Sequence, residues 1–149
     1  MPTTFQLTID CADPGPLVAF WSRALGYEPE APPAGFPSWR AYWLSIGVPE
    51  EELGEGDCAD SLVDPDGRGP RVWFQQVPEG KTVKNRLHLD LRVSGGREVP
   101  LETRRARVEA EVARLEAAGA ECADVLAEPG QDHFAAMLRD PEGNEFCVC

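Results

Sequence analysis

The 149-residue sequence predicts an α+β fold: one domain over 1–149 made of two similar halves, about 1–78 and 85–149. Three observations carry this. Strictly alternating segments stand at 4–10 and 86–92, each is followed by a helical segment closed by a glycine, and each half contains an Asp-Pro-acid-Gly turn. The first strands are 82 positions apart (Gln6 to His88) and the turns 76 apart (Asp64 to Asp140), the small mismatch expected of loop insertions in a duplicated unit. Each alternating strand has one apolar and one polar face, so each sheet is expected to pack on helices by one face and to line a shared cleft by the other.

The elements follow in order. Phe5, Leu7 and Ile9 form the apolar face of the first strand; Gln6, Thr8 and Asp10 form its polar face. Asp13-Pro14 is an N-cap followed by proline at the first helical position. Leu17, Phe20, Trp21 and Leu25 give the buried stripe of that helix, and Gly26 ends it. Four prolines and Gly35 make 27–37 a loop. Trp39, Tyr42, Trp43 and Ile46 fall at i, i+3, i+4 and i+7, which predicts a short amphipathic helix. The acidic run from Glu50 to Asp60 reads as a solvated loop. Residues 61–77 are expected to form a hairpin about Asp64-Pro65-Asp66-Gly67, and 86–92 a strand with its three leucines on one face. Val108, Val112 and Leu115 mark a helix ending at Gly119. Strands are then expected over 121–127, 133–139 and 145–149, the last two joined by Asp140-Pro141-Glu142-Gly143.

Apolar residues make up 42% of the chain and charged residues 27%, a globular composition. Fourteen basic against 26 acidic residues give a net charge of −12, which repels phosphate backbones and anionic lipid. The expected partner is therefore a small molecule, neutral or cationic, rather than nucleic acid or a membrane. Five cysteines without a C-x-x-C pair read as reduced thiols. No apolar run reaches the roughly 20 residues of a membrane span, and 1–20 lack a secretion signal, so the cytoplasm is the expected compartment.

Three stretches carry a resemblance: Asp10-Cys11-Ala12-Asp13-Pro14 leading to Phe20-Trp21 and Leu25-Gly26; Asn85-Arg86-Leu87-His88-Leu89-Asp90; and Asp140-Pro141-Glu142-Gly143-Asn144-Glu145-Phe146-Cys147. In this order and spacing the chain resembles the vicinal oxygen chelate superfamily, in particular glyoxalase-like and bleomycin-resistance-type proteins of its actinobacterial branch. The resemblance implies two βαβββ modules whose curved mixed sheets surround a cleft, often completed by homodimerisation. It also implies a metal position on the first and last strand of each module, which here falls on Gln6, Gln75 (with Gln76 the alternative register), His88 and Cys147.

That donor set departs from the family pattern, which usually has glutamate where Cys147 stands. One imidazole, two carboxamides and a thiol suit Mn²⁺ or Fe²⁺ poorly, and leave Zn²⁺ or Ni²⁺ only two good ligands. The sequence thus favours a site without metal. His88 and Asp90, two apart on a polar face, are the candidate catalytic pair, with His88 as acid–base group or ligand. Gln6, Thr8, Gln75 and Arg86 are candidate substrate contacts, and Trp39 and Trp43 a platform for a flat or cationic ligand. Two functions stand open: a lyase or isomerase acting on a carbonyl or vicinal-oxygen compound, and a metal-free protein that sequesters a drug or metabolite.

Overall fold

A computed structural model describes residues 1–149, which fold as two compact units, Met1–Gly80 and Lys81–Cys149. The units have the same topology. The first runs β1 (Leu7–Cys11), α1 (Pro14–Leu25), β2 (Glu28–Pro29), α2 (Trp39–Ser45), a single 3-10 turn (Glu50–Glu52), β3 (Ser61–Val63) and β4 (Val72–Gln76). The second runs β5 (Asp90–Leu91), α3 (Leu101–Ala117), β6 (Glu121–Leu126), β7 (Ala135–Arg139) and β8 (Glu145–Val148). The sheet orders are β1-β4-β3-β2 and β5-β8-β7-β6, each with one parallel pair and two antiparallel pairs. These are the two mixed four-stranded modules of the α+β fold read from the sequence. No helix is long and apolar enough to cross a membrane.

Local chemistry places the helices. The Asp13 side chain accepts from Gly15 N–H at 3.0 Å, and proline at the first position of α1 lacks an N–H that would need a partner. Gly26 closes α1 at φ 69°, a left-handed conformation that costs glycine little. Ser38 caps α2 by accepting from Ala41 N–H at 3.0 Å. Both Asp-Pro-acid-Gly turns are drawn tight by their first aspartate. Asp64 accepts from the N–H groups of Asp66, Arg68 and Gly69, and Asp140 from those of Glu142 and Asn144.

Each sheet buries one face against its own helix. In the first unit Leu17, Val18, Phe20 and Trp21 of α1 meet Leu62, Val72 and Phe74. In the second, Val108 and Leu115 of α3 meet Ala136, Leu138, Phe146 and Val148. Burying each large side chain contributes about 1.5–3 kcal/mol. Because strand side chains alternate, the residues between them, Thr8, Asp10, Trp73 and Gln75 in one unit and Asp90, Cys147 and Met137 in the other, share the opposite face.

Three sequence expectations are corrected. The strand over 86–92 shrinks to Asp90–Leu91, and Leu87 is 89% exposed. The ladder to β8 begins only where Cys147 N–H donates to Leu89 O, because upstream the Glu145 carboxylate takes the Asn85 N–H in place of a strand pairing. Phe5 is exposed because β1 starts at Leu7, so Gln6 stands just ahead of the strand. Ile46 lies outside the apolar stripe because α2 ends at Ser45.

Candidate functional site

In the second unit the register places Asp90 beside Cys147, and one strand repeat upstream His88 turns its ring onto the same face. His88 Nδ1 lies 3.0 Å from Asp90 Oδ1. A carboxylate accepts only, so Nδ1 carries the proton in the neutral ring and Nε2 presents its lone pair, making no bond within the protein. Both side chains are half-exposed. Burial raises the Cys147 pKa, and the Asp90 charge, Cys149 and a hydrogen bond to Asp90 raise it further, while Lys84 pulls the other way. Burial and Asp90 also raise the Cys149 thiol. At neutral pH both are thiols rather than thiolates, which argues against a cysteine nucleophile.

Beside this cluster, Glu145 accepts from the Asn85 N–H at 2.9 Å and from Lys81 Nζ at 3.0 Å. The Asn85 bond foremost, then Lys81, holds its carboxyl down at about 2. It thereby pins the segment carrying His88 to the strand carrying Cys147. Sequence reading passed over Glu145 and Lys84; an acid two residues before Cys147 and a lysine four before His88 were the available signals.

In the first unit the register decides for Gln75 over Gln76. Gln75 pairs with Asp10 on the open face, whereas Gln76 donates to Ala12 O at the strand end. Gln6 and Gln75 are nevertheless not brought together. Leu7 N–H donates to Arg71 O, so Gln6 stands opposite Arg71, while Gln75 is four residues further along the sheet, about 13 Å away. The Arg71 guanidinium donates to Gln6 Oε1 at 3.0 Å and pairs with Glu30, and Gln6 Nε2 donates to Thr8 Oγ1 at 3.4 Å. Against the upward pull of burial, bonds from Arg71 and Ser61 hold the Glu30 carboxyl below its usual range.

The remaining candidates separate. Trp39 is buried, with Nε1 donating to Glu30 O at 2.7 Å, so it is a core residue and not a ligand platform. Trp43 stacks on it at 5.5 Å between ring centroids. Arg86 is exposed in the irregular approach to β5.

As a metal centre the two units differ. The ligand atoms of His88, Asp90 and Cys147 lie within 4.8 Å of one another, and an imidazole, a carboxylate and a thiol fit Zn²⁺ or Ni²⁺ in kind. Binding there would require the raised Cys147 thiol to lose its proton. In the first unit a guanidinium already occupies the carbonyl of Gln6, and Gln75 stands too far along the sheet to share one ion with it.

The Glyoxalase-like domain family model matches residues 6–149, and the chain belongs to that family. Among solved structures it is similar to a glyoxalase/bleomycin resistance/dioxygenase family enzyme from Burkholderia phytofirmans PsJN, with 19% identity, a TM-score of 0.57, and coverage of 96% of this chain and 94% of that one. TioX from Micromonospora sp. ML1 shares 17% identity at a TM-score of 0.51, over 99% of this chain and 97% of that one. The fosfomycin resistance protein FosX from Listeria monocytogenes, solved with Mn(II) and 1S,2S-dihydroxypropylphosphonic acid, shares 11% identity at 0.57, over 99% and 90%. These likenesses show the vicinal oxygen chelate fold. No curated protein sequence matches the chain.

Proposed function

We propose that this glyoxalase-like protein moves a proton on a small carbonyl or vicinal-oxygen compound, in isomerase or lyase chemistry, with His88 as the acid–base group. The observation that carries the reading is the His88–Asp90 pair, in which Asp90 fixes the tautomer and leaves Nε2 open as a base. Nε2 takes a proton from the carbon beside the carbonyl, and the electron pair of that C–H bond passes to the carbonyl oxygen as an enediolate. The proton of the vicinal hydroxyl then passes to the former carbonyl oxygen, and return of the abstracted proton from Nε2 to the former carbonyl carbon completes an isomerisation. Where a Zn²⁺ is bound, His88, Asp90 and Cys147 would hold it, and it would supply Lewis-acid polarisation of the carbonyl. The net charge of −12 supports a small-molecule ligand over nucleic acid, and the family resemblance supports a homodimer.

A second reading, binding without turnover, is favoured by the Arg71 guanidinium standing on Gln6 Oε1, where the family resemblance puts a metal ligand. One experiment separates the two. Hydroxyacetone and phenylglyoxal are incubated in D₂O, and loss of the hydroxyacetone C–H signal and conversion of phenylglyoxal are followed by NMR. The catalytic reading expects exchange or conversion above buffer with the native protein and its loss in His88→Ala. Exchange that persists in His88→Ala, or none with the native protein, overturns it.

A further inference from the structure

The first unit carries a groove of about 1160 Å³, between the start of α1, α2, the segment 52–60 and the ends of the sheet. It contains none of Gln6, Thr8, Asp10 or Gln75 and meets the open face of the sheet only at Trp73. Five carboxylates line it, Asp13, Glu52, Glu55, Asp57 and Asp60, and no lysine, arginine or histidine does. Two indoles, Trp43 and Trp73, supply flat apolar surface, with Val18 and Leu53 beside them. The unit as a whole has thirteen acidic against four basic side chains, so it holds most of the chain's excess negative charge.

The walls are built in place. Asp60 Oδ2 accepts from Trp73 Nε1 at 2.9 Å and fixes that ring, and Asp57 Oδ1 accepts from Trp39 N–H at 3.1 Å. Arg40, which is not part of the lining, spends its guanidinium on Glu50 at 2.9 Å and on Gly54 O at 2.8 Å, tying the acidic segment to α2. Glu52 and Glu55 make no ion pair of their own and remain available to a ligand. The acidic run is an exposed loop, as its composition suggests, and these bonds hold it against α2.

We propose that this groove binds a small organic cation, a flat apolar body bearing a quaternary or protonated amine. The charge sign follows from the lining, and the flat body from the two indoles, whose faces attract cations. The volume suits a ligand of drug-like size. An inorganic ion fits less well. The only place in the chain where three potential ligand atoms converge within 4.8 Å is the His88 cluster, so the groove's carboxylates are spread apart, as a diffuse charge requires and a chelated ion does not. The inference does not depend on the His88 chemistry, and His88→Ala is expected to leave it unchanged.

The test uses 1-methylquinolinium and its uncharged relative quinoline at pH 7.5, followed by quenching of tryptophan fluorescence in the full chain. The cation is expected to bind several-fold more tightly than quinoline, and to weaken as NaCl is raised. The double variant Glu52→Gln/Glu55→Gln changes two exposed side chains. It is expected to lose about threefold to tenfold of the cation affinity and none of the quinoline affinity. Trp43→Phe, checked for an unchanged thermal midpoint, is expected to weaken the cation about twofold to fivefold. Equal affinity for the two compounds, an unchanged affinity in the double variant, displacement of the cation by micromolar Ca²⁺, or no binding at millimolar concentration would each overturn the assignment.

Discussion

Substitution of Glu145 by glutamine tests how the second unit holds its candidate site. The side chain is about nine-tenths buried, and its carboxylate takes the Asn85 N–H and Lys81 Nζ. Its pKa falls from the usual 4.5 to about 2. At ~1.4 kcal/mol per pKa unit, that fall sets an upper limit of ~3.4 kcal/mol on what the ionised form contributes at neutral pH. Mutational losses of hydrogen bonds to charged groups run at ~1.5–3 kcal/mol. Since Lys81 is itself only partly enclosed and glutamine still accepts one bond, Glu145→Gln is expected to cost about 2 kcal/mol at pH 7. A folded-state pKa below the unfolded value means stability that is present above pH 4.5 and is lost as pH falls towards 2. Urea unfolding of both proteins from pH 7 to pH 2.5 reads this directly: the gap between them should close across that window. A gap that is absent at pH 7, or that stays constant to pH 2.5, contradicts this role for Glu145.

Three further outcomes concern the scaffold. Asp13→Ala removes the side-chain cap of α1 and is expected to cost ~1 kcal/mol in chemical denaturation, with Asp13→Ser nearly neutral. Phe74→Ala empties a site only 1% exposed beneath α1 and should cost ~3–5 kcal/mol, seen as a drop in thermal midpoint of many degrees. Gly26→Ala meets no atom within 4 Å, so its cost is conformational alone, ~1 kcal/mol for a left-handed residue, and Gly26→Asn should recover part of it.

Much of the fold was legible because its signals are local. Asp13-Pro14 and Gly26 bound α1 by backbone chemistry that needs no tertiary partner, and the two Asp-Pro-acid-Gly turns fold onto their own aspartates. The segment 86–92 shows the limit of periodicity. Its alternation is the cleanest in the chain, yet a strand extends only as far as its neighbour pairs with it, and β8 begins at Glu145 with a side chain engaged elsewhere. Phe5 and Leu87 are exposed for the same reason, having apolar side chains beyond the reach of the ladder. The His88–Asp90 pair was legible, because two residues of spacing puts both on one face. The hold of Glu145 on Asn85 was not, since it spans 60 positions of sequence. Nor was the tie from Arg40 to Gly54 that holds the exposed acidic run against α2.

The proposed chemistry turns on which nitrogen of His88 carries the proton. Long-range ¹H–¹⁵N correlation of the histidine side chains at alkaline pH measures this. The chain has two histidines, so His133→Gln assigns the signals. The account expects His88 protonated at Nδ1 and bare at Nε2, with that preference lost in Asp90→Asn. A ring protonated mainly at Nε2, or one indifferent to Asp90→Asn, would contradict it.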